Sequence, residues 1–310
     1  MMFLDIILII IGVAMVLGGA DRLTEGASAL ARRMNIPEII IGLTIVAAGT
    51  SAPELFVSLV SALKGTPDMA MGNVVGSNTM NAMLIVGCAA VVAPMTISRN
   101  TVKKDIPFSV AASVLLILIA FDSFLSRLDG ILLLLGFAAF LYYGIKTAKS
   151  SQPATVVANS PLSTLRSTLY LLLGLTLLIV GSNVFVDSAS RVAYSMGISE
   201  GVVGLTIVAG GTSLPELATS VVAARKGQSA IAIGNVIGSN VFNILLILGT
   251  TAVISPMQIQ GITIVDMSMM LGSVALVWLF SYTRYTVERW EGALLFGAYL
   301  VYLGCLLSNI

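Results

Sequence analysis

The chain has 310 residues, 57% of them hydrophobic and 10% charged, with a mean hydropathy of +1.00 and a formal net charge of +1. Soluble domains carry about a quarter charged residues, so a soluble globular protein is excluded, and the lack of a basic excess leaves nothing with which to neutralise a nucleic-acid backbone. Histidine is absent and the two cysteines, Cys88 and Cys305, are lone thiols in apolar runs; imidazole bases, Ser-His-Asp hydrolysis, histidine-bound zinc and a CxxC redox centre are therefore ruled out, and neither an enzyme nor a cofactor is expected.

A helix that crosses a bilayer needs roughly 20 mainly apolar residues. The chain divides into ten such stretches: Met1–Ala20, Pro37–Leu63, Met69–Pro94, Ile106–Phe121, Gly130–Ile145, Leu165–Phe185, Ile198–Ala224, Ser229–Pro256, Ile262–Phe280 and Val287–Leu307. The first begins with Asp5 and no Lys or Arg, unlike a signal peptide, and is read as a retained helix. The sixteen basic residues test the count, because cytoplasmic loops hold an excess of Lys and Arg. Thirteen fall in one set of alternate breaks, among them Arg32, Arg33, Lys103, Lys104, Arg225 and Lys226, whereas Lys64, Arg127 and Arg191 fall in the other. This partition predicts a multi-pass protein of the cell membrane with both termini extracellular. The longest break, 149–164, is Ser-, Pro- and Thr-rich and reads as a cytoplasmic linker.

An internal repeat organises these stretches. Gly42–Met95 aligns without a gap on Gly204–Met257 at a constant shift of 162 residues, with 32 of 54 positions identical. The register continues upstream through Ser28 and Ser190 and through Glu38 and Glu200. Each half, 1–148 and 165–310, thus holds five expected helices. Five is odd, so the second half enters the membrane from the opposite side. The expected fold is an all-α polytopic membrane protein, ten transmembrane helices in two inverted five-helix repeats, the plan of many secondary transporters. In such folds the substrate site lies near the midplane, on broken helices of both repeats.

Within the repeats, GTSAPE (Gly49–Glu54) is followed by GNVVGSNTMN (Gly72–Asn81), and GTSLPE (Gly211–Glu216) by GNVIGSNVFN (Gly234–Asn243). Pro53 and Pro215 cannot donate a backbone bond, so each helix is expected to open near the preceding glycine, making carbonyls such as those of Ala47 and Ala209 available. The hydroxyls of Thr50, Ser51, Thr212 and Ser213 lie one turn from Glu54 and Glu216, so each broken helix can present a carboxylate and neutral oxygens to one point. Ser77 with Asn81, and Ser239 with Asn243, sit four apart on a shared face. For Ser77, Ser239, Asn73 and Asn235, ion ligation and hydrogen bonding between helices are both open.

Of the fifteen acids, thirteen lie at or near the ends of apolar stretches; Glu54 and Glu216 lie deep inside them. An ionised side chain at the bilayer centre costs about 3 kcal/mol on insertion scales. No basic residue lies at comparable depth, which points to a bound cation.

The two GTS(x)PE and GN(x)(x)GSN segments resemble the paired alpha-repeats of the sodium/calcium exchangers, in the calcium/cation antiporter superfamily. The resemblance covers both repeats. It implies exchange of sodium for calcium, with Ca2+ and Na+ as transported ions and the bilayer as the surrounding partner, and no obligatory protein partner. It implies Glu54 and Glu216 as central ligands, flanked by Thr50, Ser51, Ser77, Asn81, Thr212, Ser213, Ser239 and the position of Asn243. Some microbial members have aspartate at that last position, so Asn243 puts ion stoichiometry and pH response in question. Proton-coupled exchangers typically carry GNxxE with a nearby histidine, a pattern this chain lacks. Potassium-dependent exchange and a cation channel would also use carboxylates at this depth.

Overall fold

The computed structural model describes residues 2–150, 162–197, 207 and 209–308. The linker expected at 149–164 falls mostly outside the described residues, as do Glu200 and the start of the stretch expected from Ile198. The helices are α1 (Met2–Arg33), α2 (Glu38–Thr50), α3 (Ala52–Leu63), α4 (Pro67–Val92), α5 (Ile106–Ile119), α6 (Arg127–Ser150), α7 (Thr164–Ser195), α8 (Ala209–Thr212), α9 (Leu214–Arg225), α10 (Ser229–Ile254), α11 (Ile264–Arg284) and α12 (Arg289–Ser308). Among the described residues, α1, α4, α6, α7, α10 and α11 are long and apolar enough to cross a membrane, and α2 with α3 forms a further span bent by 46°.

The first helix is longer than its apolar stretch: it runs past Ala20 through Arg22 and Glu25 to Arg33. Two forces carry it on. Ala27, Ala29 and Ala31 are buried against the core, and Arg22 pairs with Glu25 at 3.6 Å one turn later. It stops where Asn35 turns left-handed (φ 53°) ahead of Pro37. Its 32 residues span roughly 48 Å, more than the hydrocarbon core, so its basic end stands clear of the apolar zone.

α1 packs antiparallel against the equally long α7 along a seam of small residues. A Cβ on Gly12 would lie 2.9 Å from the Gly181 carbonyl, one on Gly19 2.9 Å from that of Gly174, and one on Gly26 2.7 Å from that of Ser167. The seam repeats every seven residues on both helices, the period of a left-handed crossing, and in lipid such close backbone approach supplies the packing that apolar bulk cannot.

α4 and α10 form the centre. Their most apolar windows are 78% and 94% buried, against 22% for α1 and 28% for α7. α10 lies against α2 where Gly234 meets Gly42, a Cβ on either being 3.1 Å from the other's Cα. α2, α4 and α10 each contain a widened π-type turn, at Gly42–Val46, Asn81–Ile85 and Phe242–Leu248, a local irregularity that often accompanies a functional position.

The all-α expectation meets a small correction. Met95–Thr96 pairs antiparallel with Thr286–Val287, and Phe124–Leu125 with Met257–Gln258. Each two-residue pairing satisfies backbone groups of the chain between helices. Met95 and Met257, like Leu125 and Val287, are 162 apart, so each half lends a strand to the other.

Candidate ion-binding site

α2 gives way to α3 at Ser51, where the backbone leaves helical geometry (φ −83°, ψ 8°), and Ser213 makes the same break before α9 (φ −90°, ψ 7°). The break lies two residues ahead of Pro53 and Pro215, which sit in the first turn of the following helix, where a missing N–H is tolerated but leaves the carbonyl four residues back unserved. One expectation changes here. The Ala47 carbonyl is engaged by the Ser51 N–H at 2.9 Å and the Thr50 hydroxyl at 3.3 Å; the carbonyl that Pro53 cannot serve is that of Gly49. Ala209 begins α8, and its side chain lies outside the described residues.

The breaks bring the two carboxylates to the centre. Glu54 and Glu216 are 0% exposed. Each takes a hydroxyl from the other half of the chain: Ser51 Oγ donates to Glu216 Oε1 at 3.0 Å, and Ser213 Oγ to Glu54 Oε1 at 3.1 Å. Ser239 Oγ adds a bond to Glu216 Oε1 at 3.3 Å, while Ser213 Oγ also reaches Ser77 Oγ at 3.2 Å. Thr50 Oγ1 lies 3.0 Å from Asn235 Oδ1, to which it can donate. Ser51, Ser77, Ser213 and Ser239 are all buried.

Asn73 and Asn235 brace this frame. Asn73 Nδ2 donates to the Glu54 carbonyl (3.1 Å) and Ser58 Oγ (2.9 Å), and Asn235 Nδ2 to the Glu216 carbonyl (3.3 Å) and Ser220 Oγ (3.0 Å). Of the two readings open for these asparagines, the geometry shows bonding between helices through both amide nitrogens, with Asn235 Oδ1 also taken up by Thr50.

Asn78 and Asn240, which sequence reasoning passed over, join α4 to α10. Asn81 Nδ2 donates to Asn240 Oδ1 at 3.1 Å, Asn243 Nδ2 to Asn78 Oδ1 at 2.9 Å, and Asn78 Nδ2 to the Asn240 carbonyl at 3.1 Å. Their signal was present in the sequence: both close the repeated GSN, 162 residues apart.

Four buried oxygens are left without a hydrogen-bond partner here: Glu54 Oε2, Glu216 Oε2, Asn81 Oδ1 and Asn243 Oδ1. Orphaned buried oxygens are costly. Neither glutamate forms an ion pair with a described residue; pairs elsewhere include Arg22 with Glu25, Arg32 with Glu38, Arg191 with Asp5 and Lys226 with Asp21. No cluster of three or more His, Cys, Asp or Glu occurs among the described residues, so the donor set is two carboxylates amid neutral oxygens. Such a set suits hard cations, which take carboxylate, carbonyl and amide oxygens as ligands, and a cation passing through it is a substrate.

The chain matches the family model described as sodium/calcium exchanger protein over residues 4–146 and 166–307. It belongs to the sodium/calcium exchanger family. It is 38% identical over 317 residues to inner membrane protein YrbG of Escherichia coli (strain K12), covering 98% of this chain and 97% of that one. It is 30% identical to sodium/calcium exchanger MaX1 of Methanosarcina acetivorans, covering 98% of each. Its fold superposes on the sodium-calcium exchanger NCX_Mj, in a structure soaked with 2.5 mM Na+ and 0.1 mM Ca2+, with a TM-score of 0.87 at 30% identity, over 98% of this chain and 99% of that one. This family member is therefore a multi-pass membrane transporter that exchanges calcium for another cation, and not an enzyme.

Proposed function

We propose that the coupling ion is sodium, and that Ca2+ and Na+ compete for one midplane site built on Glu54 and Glu216. Thr50, Ser51, Ser77, Asn81, Thr212, Ser213, Ser239 and Asn243 flank these carboxylates, with the backbone at Ala47 and Ala209 alongside. The observation that carries this reading is the pair of fully buried carboxylates, each with one oxygen held by a serine of the opposite half and the other unpartnered. Two fixed negative charges balance one calcium or two sodium ions, so the ions exclude one another by charge as well as by space. Proton coupling has less to work with, since the chain has no histidine and no third acid at this depth.

In this reading the chain spans the cell membrane ten times, as two inverted halves, 1–148 and 165–310, joined by the cytoplasmic linker, with both termini outside. Alternating access then arises from movement of one helix group against the other around the fixed site. α1 and α7 are the candidates for the moving group, being long, peripheral and poor in polar contacts with the carboxylates. No cofactor and no obligatory protein partner enter this scheme.

The test is calcium-45 uptake into proteoliposomes loaded with sodium. Uptake driven by an outward sodium gradient, and absent with equal sodium or with a proton gradient alone, is the expected result. Uptake driven by protons, or strictly requiring potassium, overturns the coupling ion.

A further inference from the structure

Four asparagines stand where α4 and α10 cross, and their bonding follows an order that chemistry dictates. The Asn240 backbone carbonyl can only accept, so Asn78, which donates Nδ2 to it at 3.1 Å, must turn its Oδ1 the other way. That oxygen can in turn only accept, so Asn243 meets it with Nδ2 at 2.9 Å. The amide of Asn243 has two ends, and with its nitrogen held by Asn78 its Oδ1 is left pointing elsewhere, buried and unpartnered. Part of this relation recurs after exchange of the halves: Asn81 gives Nδ2 to Asn240 Oδ1 at 3.1 Å and its own Oδ1 is buried and unpartnered, but the anchoring bond to a backbone carbonyl is made by Asn78 and not by Asn240.

We infer that Asn78 and Asn240 are positioning residues, which lock the amides of Asn243 and Asn81 so that each offers an oxygen, never an N–H, to the transported cation. This rests on the site proposed above. The physical need is specific to a neutral ligand. A carboxylate is an acceptor whichever way it turns, but an amide rotated by half a turn presents a donor. In a site for cations that rotation exchanges attraction for repulsion. Asn243 thus requires a partner that fixes its orientation, and Asn78 supplies the acceptor that does so. Neither Asn78 nor Asn240 offers the ion an atom in this arrangement: the Oδ1 of each is occupied by the asparagine it orients.

The experiment is a double-mutant cycle on the full chain in proteoliposomes, reading the apparent KM for calcium separately from the maximal rate. Asn243→Ala removes the ligand, Asn78→Ala removes the acceptor that orients it, and the double variant removes both. Each single substitution is expected to raise the KM for calcium by about tenfold, the worth of one hydrogen bond of ordinary strength to a charged partner. The double variant is expected to match Asn243→Ala alone, since Asn78 has nothing left to orient. Losses that multiply in the double variant would show that Asn78 acts independently of Asn243 and would overturn the inference. The cycle of Asn240→Ala with Asn81→Ala repeats the test on the other half, should one variant fail to fold, and calcium binding to purified monodisperse protein provides a second readout. A normal KM in Asn243→Ala and Asn81→Ala, alongside inactive Glu54→Gln and Glu216→Gln, overturns this inference and leaves the carboxylate site standing. Wild-type exchange in the two glutamine variants would instead overturn the site itself.

Discussion

The Ser51 hydroxyl donates to the Glu216 carboxylate at 3.0 Å, joining residues 165 apart, and Ser213 returns the same bond to Glu54 at 3.1 Å. Each half of the chain therefore finishes the other half's carboxylate. A hydrogen-bonded oxygen on each glutamate is fixed in place, and the second oxygen is buried without a hydrogen-bond partner.

Glu54→Gln and Glu216→Gln are expected to abolish calcium flux. Each removes half of the fixed negative charge while conserving volume and the acceptor for the serine of the other half. Both proteins should elute from size exclusion like the wild type. Flux at the wild-type level in either would mean that the carboxylate does not face the ions.

Asn243→Asp is expected to transport calcium with a pH dependence different from that of the wild type. At acid pH the new carboxyl is neutral and can still donate a hydrogen bond to Asn78 Oδ1, as the amide does now at 2.9 Å. As pH rises it ionises, loses that donor and adds a third negative charge to the site. Transport by the variant should therefore approach the wild type on the acid side and diverge from it with increasing pH. Superimposable pH profiles of calcium-45 uptake would count against this placement of Asn243.

Gly174→Ala is expected to destabilise the α1–α7 pair. The added Cβ would stand 2.5 Å from the Leu23 amide nitrogen and 2.8 Å from the Gly19 carbonyl, both of them backbone atoms that cannot yield alone. Overpacking of this kind costs roughly 1–3 kcal/mol. Gly18→Ala is the control, because a Cβ there meets no described atom within 4 Å. Thermal unfolding in detergent should show a lowered midpoint for the first and little change for the second.

Arg191 and Asp5 supply a charge test. Arg191 Nε lies 2.7 Å from Asp5 Oδ1, with the Asp5 side chain 11% exposed and the Arg191 side chain 51% exposed. Removing Arg191 alone leaves the shielded acid without its partner, whereas removing both charges leaves no uncompensated desolvation. Arg191→Leu should lower the unfolding midpoint more than the double variant Asp5→Asn, Arg191→Leu. The reverse order would mean that the pair contributes through packing alone.

Much of this protein was determined by its sequence before any folding argument. Composition decides residence in the membrane, because so few charges cannot cover a soluble surface. The 162-residue shift names Glu54 with Glu216 and Ser51 with Ser213, and depth within apolar stretches separates those two acids from the others. The tertiary structure decided what no local pattern encodes. Hydropathy ended α1 at Ala20, since it cannot register that Ala27, Ala29 and Ala31 are buried or that Arg22 and Glu25 compensate each other along a continuing helix. The seven-residue spacing of Gly12, Gly19 and Gly26 was visible, but it acquired meaning only when α7 brought Gly181, Gly174 and Ser167 against it. Proline marked the broken helices correctly, yet which carbonyl it left unserved depended on where the backbone turned. Asn78 and Asn240 looked like any other polar residues of a repeat; the crossing of α4 and α10 made them partners of Asn243 and Asn81. A hydrogen bond between residues 165 apart depends on the closure of the whole fold, and that closure is a property of packing rather than of any segment.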